Sequence, residues 1–251
     1  MSDERQLVES TGRWWGEHIH RYNEALKHIG QNDNVLDLAC GTGFGTDMIA
    51  QKISGKVFGG DIATEAIKEC NERWKKANLE FRVMDGTKLD FPDGYFDKIT
   101  SFETIEHTGQ YREMIAEFAR VLKPGGELIL STPNREVSSP DNNIINPYHI
   151  QEFSYDELKD ILGACFGIVE ISGQHNTRYD KRSFRRRTGK VFEKMFLSIG
   201  IGKLPYKLRN GFMKTFFGYP LYPLVSDFVL EKDVARIKTK CPVQFAICKK
   251  Q

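Results

Sequence analysis

Short apolar runs alternate along this chain with stretches whose apolar positions recur every three or four residues. The runs predict strands at 34–38, 56–60, 79–83, 97–102, 126–131, 167–173 and 243–249. The longer period predicts helices near 44–53, 63–76, 110–122 and 154–163. Ahead of them, Trp14, Trp15, Ile19, Tyr22 and Leu26 recur at helical spacing, so residues 11–29 read as an amphipathic helix. Strand–helix alternation of this kind predicts an α/β fold, a Rossmann-like doubly wound sheet of seven strands. Ligands of such sheets sit at the carboxyl ends of the strands, where the strand order reverses. The last two predicted strands are about 70 residues apart, too far for a structureless connection. The organisation read from this is an N-terminal helical cap (1–30), a ligand-binding domain (31–175 and 241–251) and a helical insert (176–240).

The first predicted strand runs into V-L-D-L-A-C-G-T-G-F-G-T, residues 35–46. Glycines there let the backbone approach a ligand closely, and the helix that follows offers free N–H groups. The glycines at 41, 43 and 45 resemble a dinucleotide turn, with Asp61 near the place of its ribose acid. The third glycine comes one residue early for that pattern. Asp37 is more informative, because a carboxylate repels a pyrophosphate and attracts an ammonium. S-adenosylmethionine (SAM) carries an ammonium and no phosphate. Asp61, Asp85 and Glu103 also fall at or just after strand carboxyl ends, a register that a solvated surface does not explain.

The D-x-x-C-G-x-G turn resembles that of the class I SAM-dependent methyltransferases. F-P-D-G-Y-F-D-K-I-T-S-F-E (91–103) and V-L-K-P-G-G-E-L-I-L-S-T-P-N (121–134) resemble the same family's fourth-strand and fifth-strand segments. The resemblance covers roughly residues 12–175 and the last strand. It implies that the last two strands pair antiparallel. It also implies that Asp37 and the backbone around Ala39, Gly41 and Gly43 hold the methionine part of SAM. By the same resemblance Asp61 accepts both ribose hydroxyls and Ile62 packs on the adenine. Asp85 accepts from the adenine amino group, with Gly86 and Thr87 beside it, and Phe102 and Glu103 border the cofactor.

Transfer to a hydroxyl needs an aligned nucleophile and a base. Two segments lie past the fourth and fifth strands: F-E-T-I-E-H-T (102–108) and N-P-Y-H-I-Q-E-F (146–153). On a helical turn Glu103 and Glu106 share a face, with His107 adjacent. His107 is the first candidate base and His149 the second, since imidazole titrates near neutral pH. Glu103, Glu106, His107 and His149 together form a candidate site for a divalent ion, with Mg or Mn suited to the oxygen-rich set. The E-x-x-E-H pattern resembles ubiquinone-pathway O-methyltransferases and small-RNA terminal 2′-O-methyltransferases, in which these residues carry such an ion. The other reading has Glu103 positioning SAM and His107 acting as a base without metal. His18, His20 and Tyr22 either face the acceptor or belong to an ordinary packed helix.

Net charge is only +2, which hides a split. Residues 1–175 carry 18 Lys and Arg against 29 Asp and Glu, whereas residues 176–251 carry 18 against 5. A bias of this size points to an anionic partner for the insert. In 178–217, Val191, Phe192, Met195, Phe196 and Ile199 share one helical face. Four readings stay open: an interfacial helix on anionic lipid, a site for a phosphorylated or lipid-linked substrate, a nucleic-acid surface, and a lid whose charges are simply solvated. Five cysteines without a C-x-x-C pair fit a reduced chain better than a disulfide scaffold or zinc site. No apolar run reaches the ~20 residues of a membrane span and no signal peptide is read. The expectation is a cytoplasmic protein, with a peripheral place on a membrane's inner face open to it. Taken together, the segments resemble methyltransferases of surface-polysaccharide and glycan biosynthesis. The expected activity is O-methylation of a sugar or other hydroxylated small molecule, free or carrier-linked. The alternatives are an RNA 2′-O-methyltransferase and a non-catalytic SAM-binding scaffold that docks through the insert.

Overall fold

The structure, a computed structural model, describes residues 15–178, 206–218 and 220–251. Trp14 and the predicted apolar face from Val191 to Ile199 lie outside the described residues.

The sheet begins with β1 (Val35–Leu38), whose four residues are all buried. It pairs in parallel with β2 (Val57–Asp61) on one side and β4 (Phe96–Phe102) on the other. β3 (Leu79–Val83) continues beyond β2, and β5 (Leu122–Pro133) continues beyond β4, both parallel. β6 (Ile168–Asn176), β7 (Phe228–Glu231) and β8 (Val243–Lys249) complete the order β3-β2-β1-β4-β5-β8-β6-β7. β8 runs antiparallel to both β5 and β6, as the resemblance implies. The order reverses at β1, so the crevice expected for a ligand opens at the carboxyl ends of β1 and β4. The seven predicted strands are joined by an eighth. β7 lies in the segment read as helical insert, and only Phe228 of its four residues is buried.

Helices α1 (Trp15–Ala25), α2 (Phe44–Ala50), α3 (Thr64–Arg73), α4 (Tyr111–Val121), α5 (Arg135–Ser138) and α6 (Tyr155–Gly163) precede or connect these strands. α7 (Tyr206–Phe217) and α8 (Val234–Lys240) follow β6. α4 buries Met114, Ile115, Phe118 and Val121, a single stripe at helical spacing that packs with Leu36, Ile99, Leu128 and Leu130 of the sheet. α6 starts on a reciprocal cap: the Ser154 hydroxyl accepts from the Glu157 amide, and the Glu157 carboxylate accepts from the Ser154 amide.

The described residues fall into two compact units. The first holds 21–175 and 230–251, with β1 to β5, β8 and nearly all of β6. Residues 230–240, read from the sequence as part of the insert, lie in this unit. The second holds 15–20, 176–178, 206–218 and 220–229. Its centre is Arg178, 1% exposed. The guanidinium donates to Asp227 Oδ2 at 3.1 Å and to the carbonyls of Leu221 and Tyr222. Among the described residues no helix is long and apolar enough to cross a membrane.

Candidate active site

The turn after β1 is the most contorted stretch of backbone in the first unit. Ala39, Gly41 and Gly43 all take left-handed φ angles of 60°, 54° and 73°. An alanine held there stores strain, which the surrounding contacts must over-determine. One of those contacts comes from Asp61 at the end of β2, which also caps the start of the following segment. Its Oδ2 accepts the Gly41 N–H at 3.0 Å and its Oδ1 the Ala63 N–H at 2.9 Å. The Trp74 indole donates to the Thr42 carbonyl at 2.8 Å. The glycines differ in purpose. A Cβ on Gly41 would meet nothing within 4 Å, so the chain is open to a ligand there. One on Gly43 would press on Phe81 and Cys70, and one on Gly45 would overlap the Tyr22 ring.

Ile62 next to Asp61 is 70% exposed, a large apolar side chain left open beside the carboxylate expected to meet the ribose. Asp85 is exposed, and its Oδ1 accepts from the amide and hydroxyl of Thr87, which hold its carboxyl below the usual range. Gly86 is fitted against Leu38 and Met114. Phe102 is buried, its ring edge-on to Tyr22 at 4.9 Å. The donor set fits SAM better than a phosphate ligand. Open carboxylate lone pairs on Asp61 and Asp85 suit hydroxyl and amino donors.

Asp37 is not an open wall of the crevice. It is 1% exposed, and three hydroxyls donate to it: Tyr22 to both oxygens at 3.1 and 3.2 Å, Thr46 to Oδ2 at 2.6 Å and Thr100 to Oδ1 at 2.7 Å. Burial pushes its carboxyl up to about 6, against the pull of those hydrogen bonds. The Tyr22 hydroxyl is therefore turned to Asp37. His20 is likewise buried, its ring 6.2 Å from Phe228.

The E-x-x-E-H segment departs from the expected helical geometry. Glu103 follows β4 with a left-handed φ of 52°, and only Ile105–His107 form a 3₁₀ turn. The two carboxylates consequently take different partners. Glu103 Oε1 accepts from the Ser131 hydroxyl at 2.7 Å and lies 3.5 Å from Arg21 Nη1. Arg21, itself 2% exposed, is held through Nε on Gln174. Glu106 is fully buried. Its Oε2 accepts from the Thr132 hydroxyl at 2.8 Å, while its Oε1 has no hydrogen-bond partner. Burial, with Glu103 next, raises its carboxyl well above the usual range.

His107 Nδ1 lies 3.0 Å from the Tyr148 carbonyl, which only accepts, so Nδ1 carries the proton and Nε2 the lone pair. That Nε2 is 3.9 Å from Glu106 Oε1. His149 meets Glu152 Oε1 through Nδ1 at 2.8 Å and the Asn146 amide through Nε2 at 2.8 Å. Both of its nitrogens are thus engaged, which favours His107 over His149 as base. The two rings pack edge-on, 4.9 Å apart. Glu106, His107 and His149 bring one ligand atom each within 4.8 Å of one another. Glu103, the expected fourth ligand, is not in this group because its carboxylate is turned to Ser131 and Arg21. Thr46, Thr100, Ser131, Thr132 and Glu152 went unread in the sequence. Thr100, Ser131 and Thr132 carried one available signal, hydroxyl residues inside otherwise apolar buried strands.

Residues 35–126 match the family model described as a methyltransferase domain. A probable S-adenosylmethionine-dependent methyltransferase of Mycolicibacterium smegmatis is 31% identical over 158 residues, 62% of this chain and 60% of that protein. The chain therefore spans less than two thirds of the length of that relative. The ubiquinone/menaquinone biosynthesis C-methyltransferase UbiE of Pseudomonas aeruginosa is 26% identical over 198 residues, 76% of this chain and 73% of its own. Among solved structures, a SAM-dependent methyltransferase from Archaeoglobus fulgidus superposes with a TM-score of 0.62 at 19% identity, covering 94% of each chain, a likeness of fold.

Proposed function

Since the chain belongs to the class I SAM-dependent methyltransferases, we propose that it transfers the methyl group of SAM to a hydroxyl oxygen of a sugar or other hydroxylated small molecule, free or carrier-linked. The observation that carries the oxygen as target is His107. Its Nδ1 is fixed on a carbonyl, its Nε2 presents a lone pair, and it stands just past the carboxyl end of β4, where the cofactor crevice meets the acceptor side.

Bound SAM supplies an electrophilic methyl group. The chain's own residues do the rest. Asp61 and Asp85 hold the nucleoside, the open turn at Gly41 admits the methionine part, and buried Asp37 supplies the negative charge that an ammonium seeks. His107 Nε2 takes the acceptor's proton as the oxygen attacks, and the Tyr148 carbonyl stabilises the imidazolium formed. Glu103 orients groups at the rim, itself fixed by Ser131 and Arg21. General-base assistance is worth roughly 10²–10⁴ in rate. His107→Ala is expected to lower turnover by about that factor while SAM binding, followed by calorimetry, stays at the wild-type level. Unchanged turnover would exclude His107 as the base. A C-methyltransferase is the competing class, because the UbiE relative is named as one. Product analysis with labelled SAM and a panel of hydroxylated acceptors separates O- from C-methylation.

A second reading rests on the orphaned Glu106 Oε1. A divalent ion held by Glu106, His107 and His149, whose ring would give up one of its two hydrogen bonds, would give that oxygen a partner and would make an acceptor hydroxyl more acidic. On this second reading, exhaustive chelation abolishes turnover and Mg or Mn restores it. Full activity after chelation leaves His107 acting alone. For partners, we read the basic stretch 178–217 as the contact with an anionic membrane surface or a lipid-linked acceptor. Most of that stretch lies outside the described residues.

A further inference from the structure

We propose that Tyr22 is a positioning residue for the cofactor: its hydroxyl, bridging both oxygens of Asp37, keeps that acid charged and aimed for the ammonium of SAM. The inference rests on the reading of Asp37 as the ammonium's counter-charge.

The geometry is built for this contact. Tyr22 sits on α1, outside the glycine turn and its neighbouring strands, yet only 6% of it is exposed. The ring is wedged edge-on between Phe44 at 5.4 Å and Phe102 at 4.9 Å. Gly45 is the floor of the wedge, since a Cβ there would lie 1.8 Å from the phenol carbon that bears the hydroxyl. The third glycine of the turn is therefore spent on admitting Tyr22. With the ring fixed, the hydroxyl has one place to point, and it lies 3.2 and 3.1 Å from Oδ1 and Oδ2.

A buried carboxylate is costly unless donors surround it. Asp37 is faced by Tyr22 from α1, Thr46 from α2 and Thr100 from β4. Cys40 lies beside it in the turn, Asp61 faces it from β2, and the charge of Arg21 acts on the Tyr22 hydroxyl. Asp61 opposes a second negative charge, and among the described residues no lysine or arginine hydrogen-bonds the carboxylate. The charge is therefore held by hydroxyls. Burial and the neighbouring Asp37 raise the phenol well above its ordinary value, so Tyr22 stays a donor at every working pH. Removing it withdraws a hydrogen bond to the charged form, and the acid then protonates at a higher pH.

The test is the affinity for SAM between pH 5 and 7.5, by calorimetry, for wild type and Tyr22→Phe. The wild type is expected to bind with a midpoint near pH 6, weakening about tenfold per pH unit well below it. Tyr22→Phe keeps the ring and the wedge. It is expected to raise the midpoint by about half a unit or more, to bind at least about threefold more weakly at pH 5, and to converge on the wild type towards pH 7.5. A merely structural role would weaken binding equally at all pH values. Wild-type protein made with 3-fluorotyrosine, a stronger hydrogen-bond donor, keeps every side chain in place. It is expected to move the midpoint down, and it tests the inference even if Tyr22→Phe does not fold. Midpoints that coincide in all three proteins overturn the role of Tyr22 alone. A wild-type affinity that is flat across pH 6 overturns the reading of Asp37 beneath it.

Discussion

Asp37 has a stability consequence as well as a binding one. Its ordinary carboxyl value is 3.8, and burial lifts it to about 6 in the folded protein. The folded state thus holds a proton more tightly than the unfolded chain does. The associated stabilisation is complete below pH 3.8 and is lost as pH rises through 6, a difference of about 3 kcal/mol. Asp37→Asn should remove this dependence. Melting curves at pH 4.5 and 7 should show a smaller change between the two pH values for the variant than for the wild type. An equal change in both proteins would put the titration elsewhere. At this scale the sequence was legible where chemistry is local. The acids and glycines of residues 35–46 announce themselves because their neighbours in the chain supply the turn. The donors to Asp37 were hidden because they arrive from α1, α2 and β4, and Thr100 is 63 residues away. Nothing in the immediate string T-S-F says that one hydroxyl points at a buried carboxylate.

Helix and strand boundaries were mostly readable, for the same reason that they are stable. The α4 stripe and the α6 cap are encoded within single elements. Ser154→Ala removes the hydroxyl that caps α6 and should cost about 0.5–2 kcal/mol, visible as a lowered urea midpoint with an unchanged slope. Phe118→Ala, at the centre of the α4 stripe and fully buried, should cost about 3–5 kcal/mol by opening a cavity. Denaturation midpoints for the two variants should rank in that order. The E-x-x-E-H segment misled because its spacing suits a helix, whereas the backbone turns left-handed at Glu103. Tertiary partners decide that conformation: Ser131 on β5 and Arg21 on α1 pull the carboxylate out of the helical path. β7 was missed for a different reason: it lies in a stretch read as helical, and only Phe228 of it is buried.

On the scale of the molecule, the charge split stands out. An excess of acid over residues 1–175 faces a strong excess of base after them. If 178–217 meets an anionic surface, the protein should co-sediment with vesicles containing anionic lipid and not with neutral ones. Binding should fall steeply between low and physiological salt as screening shortens the reach of the charges. Equal, salt-independent behaviour with both vesicles would return the stretch to a lid with solvated charge. Sequence reasoning captured the sheet and its reversal point, because strand–helix alternation dictates them. It placed residues 230–240 in the insert, because no local signal marks where a chain rejoins a unit it has already left.

That return also orders the protein's synthesis. β8 lies between β5 and β6, antiparallel to both, and follows them in the chain only after everything from 177 to 242. A nascent chain that has reached residue 242 therefore carries a sheet with a gap in its middle. The inner edges of β5 and β6 stay unpaired there, each able to recruit a strand from another chain. Translation of the basic segment is the interval of greatest exposure. A ribosome slowed within it would be expected to yield aggregates rather than folded protein.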